Sequence, residues 1–166
     1  CLAHAFWGVL LVFYFLQQAV GWNGLVVFKI IVLLAAFGLL FAVSVKKSNF
    51  WLVAFFSVPA VLILGERIIL RPEIFSYFFT AVFLYFLIDL EEHPERKRIF
   101  WLVPFQVLWV NLHLFFIIGI GLVGLFFIEK VILNYKNLGG NRLVRKLGIL
   151  LLILIGVSLI NPNGVA

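Results

Sequence analysis

The chain contains no methionine and one cysteine, Cys1. A lone cysteine excludes an internal disulfide and a cysteine metal cluster. Without a methionine, Cys1 is not a natural start, and with the abrupt end NPNGVA the sequence reads as an internal stretch of a longer protein. A signal peptide cannot be judged from such a start. Charge is also scarce. Asp, Glu, Lys and Arg make up 12% of the residues, about half the roughly 25% of soluble domains. With 65% hydrophobic residues and a mean hydropathy of +1.21, lipid is indicated as the main solvent. There is no GKS or GKT phosphate loop, no dinucleotide fingerprint, no zincin motif and no Ser-His-Asp arrangement.

What is present is a series of apolar segments, at about 5–20, 25–45, 50–65, 74–88, 99–110, 114–128 and 147–160. They predict an all-α fold: one polytopic integral-membrane helix bundle spanning 1–166, with about six to seven membrane helices, some short or broken. GWNG closes the first segment, and KKSN ends the second, whose Lys29 is placed to snorkel to the interface. Pro59 is placed to kink the third. Gly119, Gly121 and Gly124, with the pairs Gly38/Ala42 and Ser76/Thr80, read as close helix packing. The five tryptophans read mostly as an aromatic belt near segment ends.

Residues 99–128 would form a helix of about 45 Å if unbroken, too long for one ordinary crossing. Two arguments place a break at LWVNLH. Residues two apart on a helix point about 200° from each other. Asn111 shares a face with Pro104 and His113 one with Gln106, so no single buried stripe takes both. The second argument is charge. With a break, the loops 46–49, 89–98 and 129–146 fall on one side and carry ten of the 13 Lys and Arg. An unbroken crossing would leave five against eight. The positive-inside rule favours the break and makes those loops cytoplasmic. Basic residues in short loops between apolar runs are a topology signal, so the net charge of +6 points to a phospholipid surface and not to nucleic acid. At about twelve residues, 99–110 is too short to cross, which places the turn below the surface in a protein-lined or wet cavity.

The same reasoning puts ERIILRPE, NLH and NPNG on the non-cytoplasmic face. Glu66, Arg67, Arg71 and Glu73 concentrate ionisable groups there. The structural reading is a capped helix start, with Pro72 in the first turn and Glu73 where the helix dipole favours an anion. The chemical reading makes Arg71 a phosphate binder and Glu73 a metal or substrate ligand, with a divalent metal as cofactor. Asn111 and His113 are read either as a hydrogen-bonded helix break or as substrate contacts, since ionisable groups within a membrane are functional candidates. His4 is a weaker candidate, and His93 sits among charges in a solvated loop.

The order of motifs is HAFW, GWNGL, a helix ending in KK, RPEIFSY, LWVNLH, a glycine-bearing helix and LINPNG. It resembles bacterial polytopic glycosyltransferases of the GT-C type, distantly similar to protein O-mannosyltransferases and lipid-A aminoarabinose transferases. The resemblance spans most of the chain through short motifs. It implies a bacterial inner-membrane enzyme that moves a sugar from a polyprenyl-phosphate donor on the non-cytoplasmic face. Glu73 would be the catalytic candidate, Arg71, Asn111, His113 and His4 the substrate contacts, and the acceptor's base would lie outside this stretch. Strict alternation puts His4 on the cytoplasmic side while the resemblance puts it outside, so 5–20 is expected to be re-entrant or interfacial. The rival functions are a transporter or flippase with a midplane site at the break, and a non-catalytic structural membrane protein.

Overall fold

The structure is a computed structural model; it describes residues 7–65, 73–135 and 140–159. The described residues form six α-helices and no strand: α1 (Trp7–Lys47), α2 (Phe50–Gly65), α3 (Glu73–Glu92), α4 (Leu102–Leu112), α5 (Ile117–Leu133) and α6 (Arg142–Val157). Short 3-10 turns, Arg98–Trp101 and Leu114–Phe116, lead into α4 and α5.

The segments 5–20 and 25–45 are joined more tightly than GWNG suggested. α1 is helical on both sides of one residue, Gly21, whose φ of 68° and ψ of −172° break the regular geometry. Only glycine takes positive φ without the Cβ penalty, so the bend needs one residue where a loop was expected. Phe13 before the bend and Phe28 after it both pack on the ring of Phe75, at centroid distances of 6.0 and 6.1 Å. The two arms of α1 therefore converge on the start of α3.

The polar loops are shorter than their composition implied. α3 continues through Asp89–Glu92, and α5 runs to Leu133. α6 starts at Arg142, because the Asn141 side chain caps it by accepting from the amides of Leu143 (2.9 Å) and Val144 (3.2 Å).

Among the described residues, three helical stretches are long and apolar enough to cross a membrane: Gly8–Lys47, Glu73–Glu92 and Leu114–Leu133. Of the expected six to seven crossings, these three have the length. Phe50–Ile63 and Arg98–Leu112 are apolar but fall short of the ~20 residues a crossing helix requires.

The core lies among α3, α4, α5 and α6, where Phe83, Leu87, Leu102, Trp109, Val123, Leu150 and Leu154 are fully buried. α1 packs beside α3, facing it with Leu25, Lys29, Ala36 and Val43, all buried. Lys29 thus lies on the inward face and is 8% exposed, where snorkelling to the interface was expected. α2 is different. Trp51, Phe55, Phe56, Val58 and Leu62 are exposed, while Val53, Ala54 and Ser57 are partly covered, so most of the helix presents apolar side chains outward.

Charged side chains gather at one end. Lys47 pairs with Glu92 at 3.0 Å, Arg96 with Asp89 at 2.8 Å, and Lys130 with Glu91. Lys146 donates to the carbonyls of Pro94 and Arg96 (3.0 Å to the latter), and its burial holds the ammonium below the ordinary lysine range. These contacts bring Lys47, the stretch 89–96, Lys130 and Lys146 to one end of the bundle. His93 belongs to the same group, with its Nδ1 at 3.5 Å from Asp89. α6 runs beside α4 in the same direction, since Lys146 meets Arg96 at this end and Ser158 meets Gln106 farther along.

Candidate functional site

At the opposite end, α4 stops at Leu112, and His113 is extended, with φ −156° and ψ 145°. The break is where the face geometry placed it. A break within apolar surroundings strands backbone groups, and each must find a partner. The His113 amide donates to the Trp109 carbonyl at 2.9 Å, completing the last turn of α4. The amide of Phe115, orphaned at the start of the next turn, donates to Nδ1 of the His113 ring at 3.4 Å. The imidazole is thus the N-cap of the helix that follows it.

The same nitrogen faces the hydroxyl of Ser76 on α3, at 2.9 Å. Trp109, one turn before the break, donates its indole N–H to that hydroxyl at 3.0 Å. All three side chains are buried: Ser76 4%, Trp109 0% and His113 5% exposed. Phe79 stacks on the Trp109 ring at 5.4 Å, Phe83 meets it edge-on at 5.5 Å, and Phe115 meets His113 edge-on at 4.5 Å. Glu73 is the first residue of α3, and its carboxylate is within Coulombic reach of His113.

Asn111 plays a separate part. Its Nδ2 donates to the Val107 carbonyl within α4 at 2.7 Å, and its own carbonyl lies against Gly8 of α1. A Cβ at Gly8 would stand 2.4 Å from that oxygen. The first arm of α1 therefore docks on the broken end of α4 through a glycine.

A second polar node sits one turn deeper. Gln106 is 0% exposed and donates through Nε2 to Ser158 Oγ (2.9 Å) and to the Phe116 carbonyl (3.3 Å), binding α4 to α6 and to the turn before α5. Its Oε1 has no hydrogen-bond donor and faces Gly119, where a Cβ would stand 2.8 Å from it.

Of the sequence candidates, Glu73, Asn111 and His113 are described: His113 bonds to Ser76, three residues after Glu73 on α3, while the Asn111 side chain bonds within α4. Arg71 and His4 lie outside the described residues, as do Glu66, Arg67 and all of NPNG. Among the described residues, Ser76, Trp109 and His113 are packed together at the break. Clefts of about 370 Å³ lie elsewhere, one between α1 and α2 along Phe37, Phe41 and Phe56, the other bounded by Leu33, Ala60 and Tyr77.

Sequence reasoning missed Ser76 and Trp109. Ser76 was read as a small packing residue and Trp109 as part of the aromatic belt. The available signal was spacing: Trp109 is four residues before His113 and Ser76 three after Glu73, each on a shared helix face. Trp22, Trp51 and Trp101 are exposed, at 68%, 77% and 62%, as belt residues are.

Among the described residues no group of three or more His, Cys, Asp or Glu is placed to hold a metal ion. Comparison with protein-family models, with curated proteins and with solved structures finds no match.

Proposed function

We propose that the chain is the membrane-embedded part of an enzyme that transfers a sugar from a polyprenyl-phosphate donor. The observation carrying this reading is the meeting of RPEIFSY and LWVNLH, far apart in sequence, through the Ser76–His113 hydrogen bond of 2.9 Å. Both are among the motifs that carry the resemblance to GT-C glycosyltransferases. In this reading the charged end faces the cytoplasm of a bacterial inner membrane, in accord with the positive-inside rule. The end bearing Glu73, Asn111 and His113 then lies toward the non-cytoplasmic face, where the donor's phosphate is held. Glu73 acts at the reacting end. His113 and Asn111, with Arg71 and His4 from the flanking segments, contact the donor, and a divalent metal would join through Glu73.

The test uses the full-length protein in membranes, measuring consumption of a lipid-phosphate-linked sugar. Glu73→Gln and His113→Gln are expected to lower turnover by at least ~100-fold, the scale of a lost acid–base or charge-stabilising group. Arg71→Ala is expected to raise KM more than it lowers kcat. Normal turnover in all three, at normal expression, overturns the reading.

A second reading is favoured by burial. Ser76, Trp109 and His113 satisfy one another inside the protein, as they would in a junction that only holds α3 to the break. In that case the variants lose thermal stability together with any activity. A transporter site at the break would require solute-dependent protection of His113.

A further inference from the structure

We infer that Trp109 and Ser76 are positioning residues that hold His113 as its Nε2–H tautomer, so that the ring presents a hydrogen-bond donor to an anionic oxygen. The role in donor binding rests on the function proposed above; the tautomer rests on the geometry alone.

The direction of the chain of hydrogen bonds follows from what each group can do. An indole nitrogen only donates. The 3.0 Å contact from Trp109 Nε1 therefore makes Ser76 Oγ an acceptor and leaves the serine proton to be placed elsewhere. Its neighbour at 2.9 Å is His113 Nδ1. That contact taken alone is ambiguous, because a ring nitrogen can donate or accept. The Phe115 amide decides it. A backbone N–H also only donates, and its hydrogen points at the same Nδ1, at 3.4 Å. A proton on Nδ1 would confront that amide and leave the first turn after the break without its cap. Nδ1 is consequently an acceptor, its one lone pair shared between the Ser76 hydroxyl and the longer Phe115 amide contact, and the neutral ring carries its single proton on Nε2. The relay runs one way, from Trp109 N–H to Ser76 O–H to His113 Nδ1.

Two chemical consequences follow. Nδ1 is committed to Ser76 and Phe115 and Nε2 is protonated, so this tautomer offers no lone pair to a metal; a divalent ion near Glu73 would draw its ligands from other residues. What His113 engages through Nε2 must accept a hydrogen bond, and for a lipid-phosphate donor that acceptor is a phosphate oxygen. His113 is then a contact to the donor's anionic end, while Ser76 and Trp109 act through it.

The experiment uses the full chain with nitrogen-15-labelled histidine, in detergent or nanodiscs. Long-range proton–nitrogen spectra report which ring nitrogen is protonated, and His113→Gln assigns the signal against His4 and His93. The wild type is expected to show His113 as Nε2–H. Ser76→Ala is expected to mix the tautomers and Ser76→Thr, which keeps the hydroxyl, to restore the pattern. Trp109→Phe should act like Ser76→Ala; because Trp109 is fully buried, a fold check accompanies it and the serine pair carries the conclusion if it unfolds. An Nδ1–H signal in the wild type, or no change in Ser76→Ala, overturns the assignment.

A short-chain polyprenyl phosphate, compared with the matching alcohol, tests the acceptor. A shift of the Nε2–H signal with the phosphate only supports an anionic oxygen. No shift with either, alongside a confirmed tautomer, overturns the donor-binding role and the proposed function while leaving Trp109 and Ser76 as positioning residues.

Discussion

At the scale of single residues, buried hydrogen-bonding groups and glycines behave differently according to what surrounds them. Ser76→Ala leaves the Trp109 indole N–H buried and unpartnered, and is expected to destabilise the fold by about 1–3 kcal/mol. Ser76→Thr should recover most of that in thermal or denaturant unfolding. The glycines of α5 separate in the same way. A Cβ at Gly119 would meet Gln106 Oε1 at 2.8 Å, Phe83 at 2.9 Å and Trp109 at 3.0 Å, whereas at Gly121 and Gly124 nothing lies within 4 Å. Gly119→Ala is therefore expected to cost about 1–3 kcal/mol by overpacking. Gly121→Ala is expected to be neutral or to stabilise by up to about 1 kcal/mol through helix propensity. Equal effects at the two positions would mean that Gly119 is not the tight contact of α5. The sequence treats all three glycines alike, because helical spacing says which face a residue occupies and not how near the neighbouring element comes. Gly38, also read as a packing residue, likewise has open space around it.

At the scale of elements, the two breaks in long apolar helices have different chemistry. Gly21 bends α1 through its own backbone freedom, and a Cβ there would meet no neighbouring element within 4 Å. Gly21→Ala places a Cβ on a left-handed residue and is expected to cost roughly 1–2 kcal/mol. The loss should be seen as loosening of the first arm of α1, measured by hydrogen exchange at Val9 and Phe13, more than as global unfolding. The break after Leu112 has no glycine. His113 terminates α4 with its extended backbone and starts the next turn with its ring. His113→Ala removes the cap and is expected to cost about 0.5–2 kcal/mol from that loss alone, with exchange protection falling first at Phe115 and Phe116. The existence of this break was legible in the sequence from Asn111 and His113, because two polar residues 200° apart cannot share a buried stripe. The capping ring was not, since N-caps are sought among Ser, Thr, Asp and Asn.

At the scale of the whole molecule, ionic contacts at one end and a dense polar junction at the other give the bundle two unlike faces. Ser48 and Lys97 lie at the charged end, and Asn23 follows the bend of α1 beyond the other. With Cys1 replaced by Ser, Ser48→Cys and Lys97→Cys should react with an impermeant thiol reagent from one side of the membrane only, and Asn23→Cys from the other. Labelling of all three from one side would overturn the arrangement. The ion pair between Lys47 and Glu92 is half exposed, so charge reversal at either should matter little for stability and less in high salt.

Composition and order of residues alone determined the apolar character, the helical architecture and the break at 111–113. Each of these depends on hydropathy, charge or helical angle, all of which are read locally. Tertiary structure decided which polar groups are partners. Ser76 finds His113 across 37 residues and Gln106 finds Ser158 across 52. It also decided that Ser76, Trp109 and His113 are buried together at the break, and that three helical stretches among the described residues have the length of a crossing. Those outcomes depend on how closely α3, α4, α5 and α6 approach one another, and distance between elements leaves no periodic mark in a sequence.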